Sequence, residues 1–142
     1  MKKEICYILL CLVLLLTGCS TAARLKKADR KYDNGEYFAA SEIYRKNSGK
    51  ISTSKQRKLK AEVNFKLAEC YYNTNNHAKA IRSYTSAIRY RYNDSIVYLH
   101  LAKSQLATGK LKDARKNFEI YLESYPDSYE AQQGVLSVDS AK

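Results

Sequence analysis

The side chains of this 142-residue sequence that could do chemistry are two histidines, four cysteines and fourteen acidic residues. His77 stands beside an Asn-rich turn pattern and His100 inside an apolar helical stretch. Neither has the closely spaced Cys, His or carboxylate partners of a metal site, nor a Ser or Cys nucleophile placed for it to activate. The Asp and Glu residues are scattered singly among basic ones, and no Gly-rich phosphate loop is present. The expectation is a non-enzyme with no cofactor, no metal and no small-molecule substrate. One cysteine has a chemical context of its own. Lys2 and Lys3 precede a 12-residue apolar run, Ile5 to Leu16, and Leu16-Thr17-Gly18-Cys19 follows where an export signal is cleaved. That run is shorter than the roughly 20 residues a membrane-spanning helix needs.

Leu16-Thr17-Gly18-Cys19 resembles the bacterial lipobox. The resemblance implies diacylglycerol on the Cys19 thiol, removal of residues 1–18, and commonly acylation of the new amine by a palmitate-type chain. Two or more acyl chains anchor durably where one does not. Ser20 stands where lipoproteins of the enterobacterial type retained at the inner membrane carry Asp. Residues 20–31 also lack the acidic cluster that resembles a surface-export signal in Bacteroidetes lipoproteins. Together these imply a periplasm-facing lipoprotein of the bacterial outer membrane. Cys6 and Cys11 would leave with the signal, so Cys70 would remain alone, with no intramolecular disulfide framework. Two residues after a small Ala68 in a helix, it reads as a buried packing residue.

Three evenly spaced sets of residues define the elements behind the signal. Ala28, Ala40 and Tyr44 are separated by 12 and 4 residues, as are Ala68, Ala80, Tyr84 and Ala102, Ala114, Phe118. Two antiparallel helices approach closely only where side chains are small, and large residues fill the space beside them. Turn signals fall between the members of each pair, at Asp33-Asn34-Gly35, Asn73-Thr74-Asn75-Asn76 and Gly109, and Pro126 stops the third hairpin. A single hairpin cannot bury its own apolar face, so the units must stack. The interval from Ala68 to Ala102 is 34 residues and that from Ala28 to Ala68 is 40, six more. A period of 34 resembles the tetratricopeptide (TPR) repeat. The resemblance implies an all-α fold, a short α-solenoid of three hairpins at about 21–54, 61–94 and 95–128, with a capping helix over 128–137. Residues 19–22 would be the lipidated tether, 23–137 the TPR domain and 138–142 a tail. The extra six residues are expected to lengthen the first helix of the second hairpin, beginning near Thr53 or Lys55. With five Gly, one Pro and 45% hydrophobic residues, the composition suits one small folded domain.

In TPR arrays the first helix of each hairpin lines the concave face. Carried onto this chain, that selects Leu25, Asp29, Tyr32 and Asp33, then Glu62, Phe65, Glu69, Tyr72 and Asn73, then Lys103 and Leu106 as the partner-binding groove. Tyr and Phe would offer rigid contact area and the charges would fix orientation. Leu25, Phe65 and Leu106 are equally suited to packing between hairpins. The chaperone-tail type of TPR groove clamps a terminal carboxylate with Lys and Asn, but Asp29, Glu69 and Lys103 occupy its Asn positions here. Removing residues 1–18 takes away Lys2, Lys3 and Glu4, so the formal charge moves from +11 to +10. Lys55, Arg57, Lys58 and Lys60 head a basic surface suited to anionic lipid or an acidic partner. No nucleic-acid motif accompanies the charge.

Residues 28–44, Phe65 to Tyr71, Tyr98 to Ala102 and Glu130 to Leu136 are similar to the amino-terminal TPR region of Bacteroidetes OmpA-family lipoproteins. Some of these are PorE-like parts of type IX secretion and gliding machinery. The relatives continue into a β-propeller and an OmpA-like domain with no counterpart here, so peptidoglycan attachment is not carried over. The implied function is a membrane-anchored adaptor that docks a protein partner at the cell envelope. The alternative is a structural scaffold contacting lipid or cell wall through its basic surface. Two exposed solenoid ends also leave room for homo-oligomerisation or docking onto another TPR protein.

Overall fold

The computed structural model describes residues 21–141. The signal segment and Cys19 lie outside them. Seven helices and no strand are present among the described residues: α1 (21–33), α2 (Tyr37–Ser48), α3 (Arg57–Asn73), α4 (His77–Arg89), α5 (Ile96–Ala107), α6 (Leu111–Ser124) and α7 (Tyr129–Ser140). Each helix packs on its chain neighbours, so the three hairpins stack in sequence order and α7 closes the end against α6 and α5. None of these helices is long and apolar enough to cross a membrane.

The repeated small residues sit where the helices cross. Ala28, Ala40, Ala68, Ala80, Ala102 and Ala114 are all 0% exposed, and Tyr44, Tyr84 and Phe118 are buried beside them. Burying each such aromatic stabilises the fold by about 1.5–3 kcal/mol. One core joins α1 to α5 around Tyr44, Cys70, Tyr84 and Val97. A second joins α5, α6 and α7 around Leu99, Phe118, Ala131 and Val138. Cys70 is fully buried, and burial, then the nearby Glu69 charge, pushes its thiol up to about 12. An inert packing thiol follows.

Helix ends share one device. Gly35, Asn75, Arg91 and Gly109 all adopt positive φ. Each is followed by a residue whose N–H reaches five positions back: Glu36 to Lys31, Asn76 to Tyr71, Tyr92 to Ala87 and Lys110 to Gln105. This Schellman arrangement satisfies carbonyls that the helix end leaves free. Arg91, with φ 64°, holds a conformation that glycine adopts without cost.

Two boundaries differ from expectation. α3 begins at Arg57, not at Thr53 or Lys55, because Ile51 is buried and Lys60 Nζ bonds the Ile51 carbonyl at 3.1 Å and Thr53 Oγ1 at 3.0 Å. The loop thus folds back onto the helix. Even so, α3 has 17 residues against 12 in α5, so most of the insertion lengthens the helix. The closing helix runs to Ser140, past the expected Ser137, because fully buried Val138 ties its last turn to the second core. Ser128 caps its start, accepting from the Ala131 N–H at 3.4 Å.

Candidate partner-binding face

One residue after each repeat alanine in α1, α3 and α5 stand Asp29, Glu69 and Lys103. Fifteen residues further on are Tyr44, Tyr84 and Phe118. The Tyr44 hydroxyl donates to Asp29 at 2.6 Å, and the Tyr84 hydroxyl donates to Glu69 at 2.5 Å. The next repeat then completes each pair. Lys66 of α3 donates to the same Asp29 oxygen at 2.7 Å, and His100 of α5 meets the same Glu69 oxygen through Nδ1 at 2.6 Å. Beside a carboxylate acceptor, the Nδ1–H tautomer is the one that satisfies this geometry. Phe118 has no hydroxyl to give, and the residue above it is the cation Lys103, which pairs with Glu130 of α7 at 2.5 Å. A carboxylate therefore sits where the second helix offers a phenol, and an ammonium where it offers only a ring.

The electrostatics follow from these bonds. Burial pushes the Asp29 carboxyl up, but the hydrogen bonds from Lys66 and Tyr44 outweigh it and hold it below the ordinary 3.8. The Tyr44 and Tyr84 phenols are raised well above their ordinary range by burial and by the carboxylates they serve. Desolvation lowers Lys103, while its bonds to Glu130 and Tyr72 raise it by more.

Aromatic rings lie over this lattice. Tyr72 stacks on His100 with centroids 5.6 Å apart, meets His77 edge-on at 5.6 Å, and carries the Lys103 ammonium 5.4 Å from its centroid. Tyr32 meets Tyr37 edge-on at 5.6 Å, and Phe65 stacks on Tyr92 at 4.3 Å. The expected groove residues separate into layers. Asp33, Glu62 and Asn73 are exposed, while Asp29, Tyr32, Phe65, Tyr72, Lys103 and Leu106 are part-buried. Glu69 is 8% exposed and its carboxylate serves Tyr84 and His100, so it lies beneath the face and positions what is above it. Leu25 is a core residue.

Lys66 and His100 were not among the expected groove residues, yet they link the repeats. Both stand two residues before a repeat alanine, a shared register that would have found them. Of the basic residues, Lys55, Arg57 and Lys58 are exposed, whereas Lys60 is spent on the loop. Among the described residues no group of three His, Cys, Asp or Glu side chains is placed to hold a metal.

The tetratricopeptide repeat family model matches residues 62–92 and 97–128, the second and third hairpins. The chain carries tetratricopeptide repeats. The first hairpin repeats the alanine register of both, and the tyrosine hydroxyl-to-carboxylate bond of the second, so the TPR solenoid extends over all three. The second TPR domain of human RPAP3, solved with the HSP70 peptide SGPTIEEVD, is similar at 20% identity and TM-score 0.69, over 84% of this chain and 96% of that one. The Yersinia enterocolitica type III secretion chaperone SycD, with a peptide of the translocator YopD, is similar at 15% identity and TM-score 0.67, over 86% and 94%. The TPR-containing domain of a Plasmodium falciparum putative FK506-binding protein gives 16% identity and TM-score 0.74, over 86% and 88%. These likenesses establish the TPR fold. No curated protein matches.

Proposed function

We propose that this chain is a lipid-anchored TPR adaptor that docks a protein partner at the bacterial cell envelope, as part of a secretion or envelope-assembly apparatus of the type IX kind. The observation that carries the docking role is the row of part-exposed rings, Tyr32 and Tyr72 foremost, braced by neighbouring rings: Tyr32 by Tyr37, and Tyr72 by His77 and by His100, which Glu69 holds from beneath. Rigid aromatics binding with little loss of entropy are what a recognition face requires. Solved relatives of this fold hold peptides of HSP70 and YopD. With Asp29 and Glu69 already bonded to Tyr, Lys and His, and with Asp33 and Glu62 exposed nearby, the face suits a segment with apolar and basic side chains, not a carboxylate tail. The anchor rests on Cys19 and the tetrad before it, and the periplasmic face of the outer membrane rests on Ser20.

In-cell crosslinking followed by capture tests the docking role, with Tyr32→Ala/Tyr72→Ala beside the parent and circular dichroism confirming the variant's fold. Glu69 is left intact because its removal would strip the buried network. A partner captured by the parent and lost from the folded variant is expected. Unchanged capture would place the interface elsewhere. Intact mass of the envelope protein should show Cys19 as the first residue, carrying diacylglycerol and an amide-linked acyl chain.

A further inference from the structure

The hairpin topology sorts helix ends onto two opposite edges. Thr21 and Ala22, at the start of α1, line a cavity with Ile51, Gln56 and Leu59. The start of α3 shares a second cavity with the residues after α4, and the start of α5 shares a third with Tyr125 after α6. All three cavities therefore lie on one edge, with the turns at Gly35, Asn75 and Gly109 on the other. Cys19 precedes Thr21 by two residues, which an extended chain spans in about 7 Å. An anchor at Cys19 brings the cavity edge to the bilayer.

Positive charge gathers on that edge. Residues 49–61 contain Lys50, Lys55, Arg57, Lys58 and Lys60 with no acid, and 89–92 add Arg89 and Arg91 with none. The second of these cavities, about 690 Å³, opens between Arg57 and Lys58 on one side and Arg91 on the other, and Tyr90 and Tyr92 line it with them. Its volume is that of a small-molecule site. Both rings are braced, Tyr92 by Phe65 and Tyr90 by the Lys60 ammonium 5.0 Å from its centroid. Glu62 is the acidic lining residue, and Lys66 stands 3.8 Å from it. Arg57, Lys58 and Arg91 are exposed and form no ion pair among the described residues. α3 begins with neither a side-chain cap nor an acidic residue in its first turn, so its amide dipoles add to the same field.

We propose that this edge faces the membrane and that the Arg57, Lys58 and Arg91 cavity seats the phosphodiester headgroup of an anionic phospholipid. Guanidinium groups grip phosphate oxygens in pairs, and tyrosine rings suit the headgroup layer. Leu59, 37% exposed beside the same helix start, would enter the acyl boundary. The orientation rests on the anchored reading, whereas the chemistry of the cavity can be tested without the anchor.

Residues 19–142 carrying Cys19→Ser, which include all seven helices, are floated with phosphatidylcholine vesicles with and without phosphatidylglycerol. Binding to the anionic vesicles alone is expected. Arg57→Gln/Lys58→Gln/Arg91→Gly should weaken it by roughly 100-fold, given the known pull of each cation near such a surface. Lys110→Gln/Lys112→Gln/Lys116→Gln, in the α6 segment that begins at the opposite edge, removes equal charge and should leave binding nearly unchanged. Equal weakening by both sets would reduce the effect to diffuse charge and overturn the cavity. Stabilisation by inorganic phosphate without vesicle binding would overturn the lipid as occupant, as would binding of polyglutamate in place of vesicles. A cavity variant that loses vesicles but still crosslinks its partner separates this proposal from the docking role. Absence of acyl chains on Cys19 would sink the anchor and leave the vesicle comparison intact.

Discussion

Asp29 concentrates the logic of the repeat in one side chain. It accepts from the phenol of its own hairpin and from the ammonium of the next, which joins the two units. Its folded pKa lies below the unfolded 3.8, so the bond adds stability that is fully present above that value. The contribution is lost as pH falls through the folded value. Urea unfolding across the acid range should therefore show Asp29→Asn losing part of the parent's pH slope below 3.8. A variant with the parent's slope would mean that other carboxylates govern the acid limb. The sequence offered the partners of this residue only halfway. Ala28, Tyr44 and the 12 and 4 spacing exposed the hairpin contact, because small and large residues must alternate where helices cross. Lys66 stayed hidden because charges on a helix face ordinarily point to water, and only its register relative to Ala68 marked it.

Helix ends were more legible than helix interiors. Gly35, Gly109 and the Asn-rich turn marked three of the four left-handed residues, since glycine and asparagine reach that conformation cheaply. Arg91 carried no such mark. Its strain predicts a useful separation of effects: Arg91→Gly should raise the urea midpoint by about 0.5–1 kcal/mol equivalent while removing one cation from the cavity edge. A fall in stability would mean that the Arg91 side chain holds the α4–α5 connection. Gly134 poses the reverse case. The Phe118 ring lies where a Cβ would stand, so Gly134→Ala should cost about 1–3 kcal/mol by thermal unfolding. An unchanged melting temperature would require that α7 can slide away from α6 without penalty. That close approach had no signal in the sequence, because a lone glycine in a helix reads equally well as a tolerated defect.

At the scale of the molecule, the described residues form two unequal cores sharing α5. The hairpin count, the solenoid and the closing helix were all legible, since each follows from a period. The closing helix's last turn and the loop before α3 were not, because single residues, Val138 and Ile51, set them by burial across the chain. Hydrogen exchange should find α6 and α7 opening before the larger core, whose contacts span more repeats. Uniform protection across both cores would mean that α5 transmits full cooperativity. Cys70 sits in that larger core with its thiol fully buried. On the proposed reading, with residues 1–18 removed and Cys19 acylated, Cys70 is the one thiol left to an alkylating reagent, which meets it only when the larger core opens. The rate of maleimide attachment thus serves as a clock for unfolding in the intact cell. A bound partner or bilayer that slows it reports how far stabilisation at either face reaches into the centre of the solenoid.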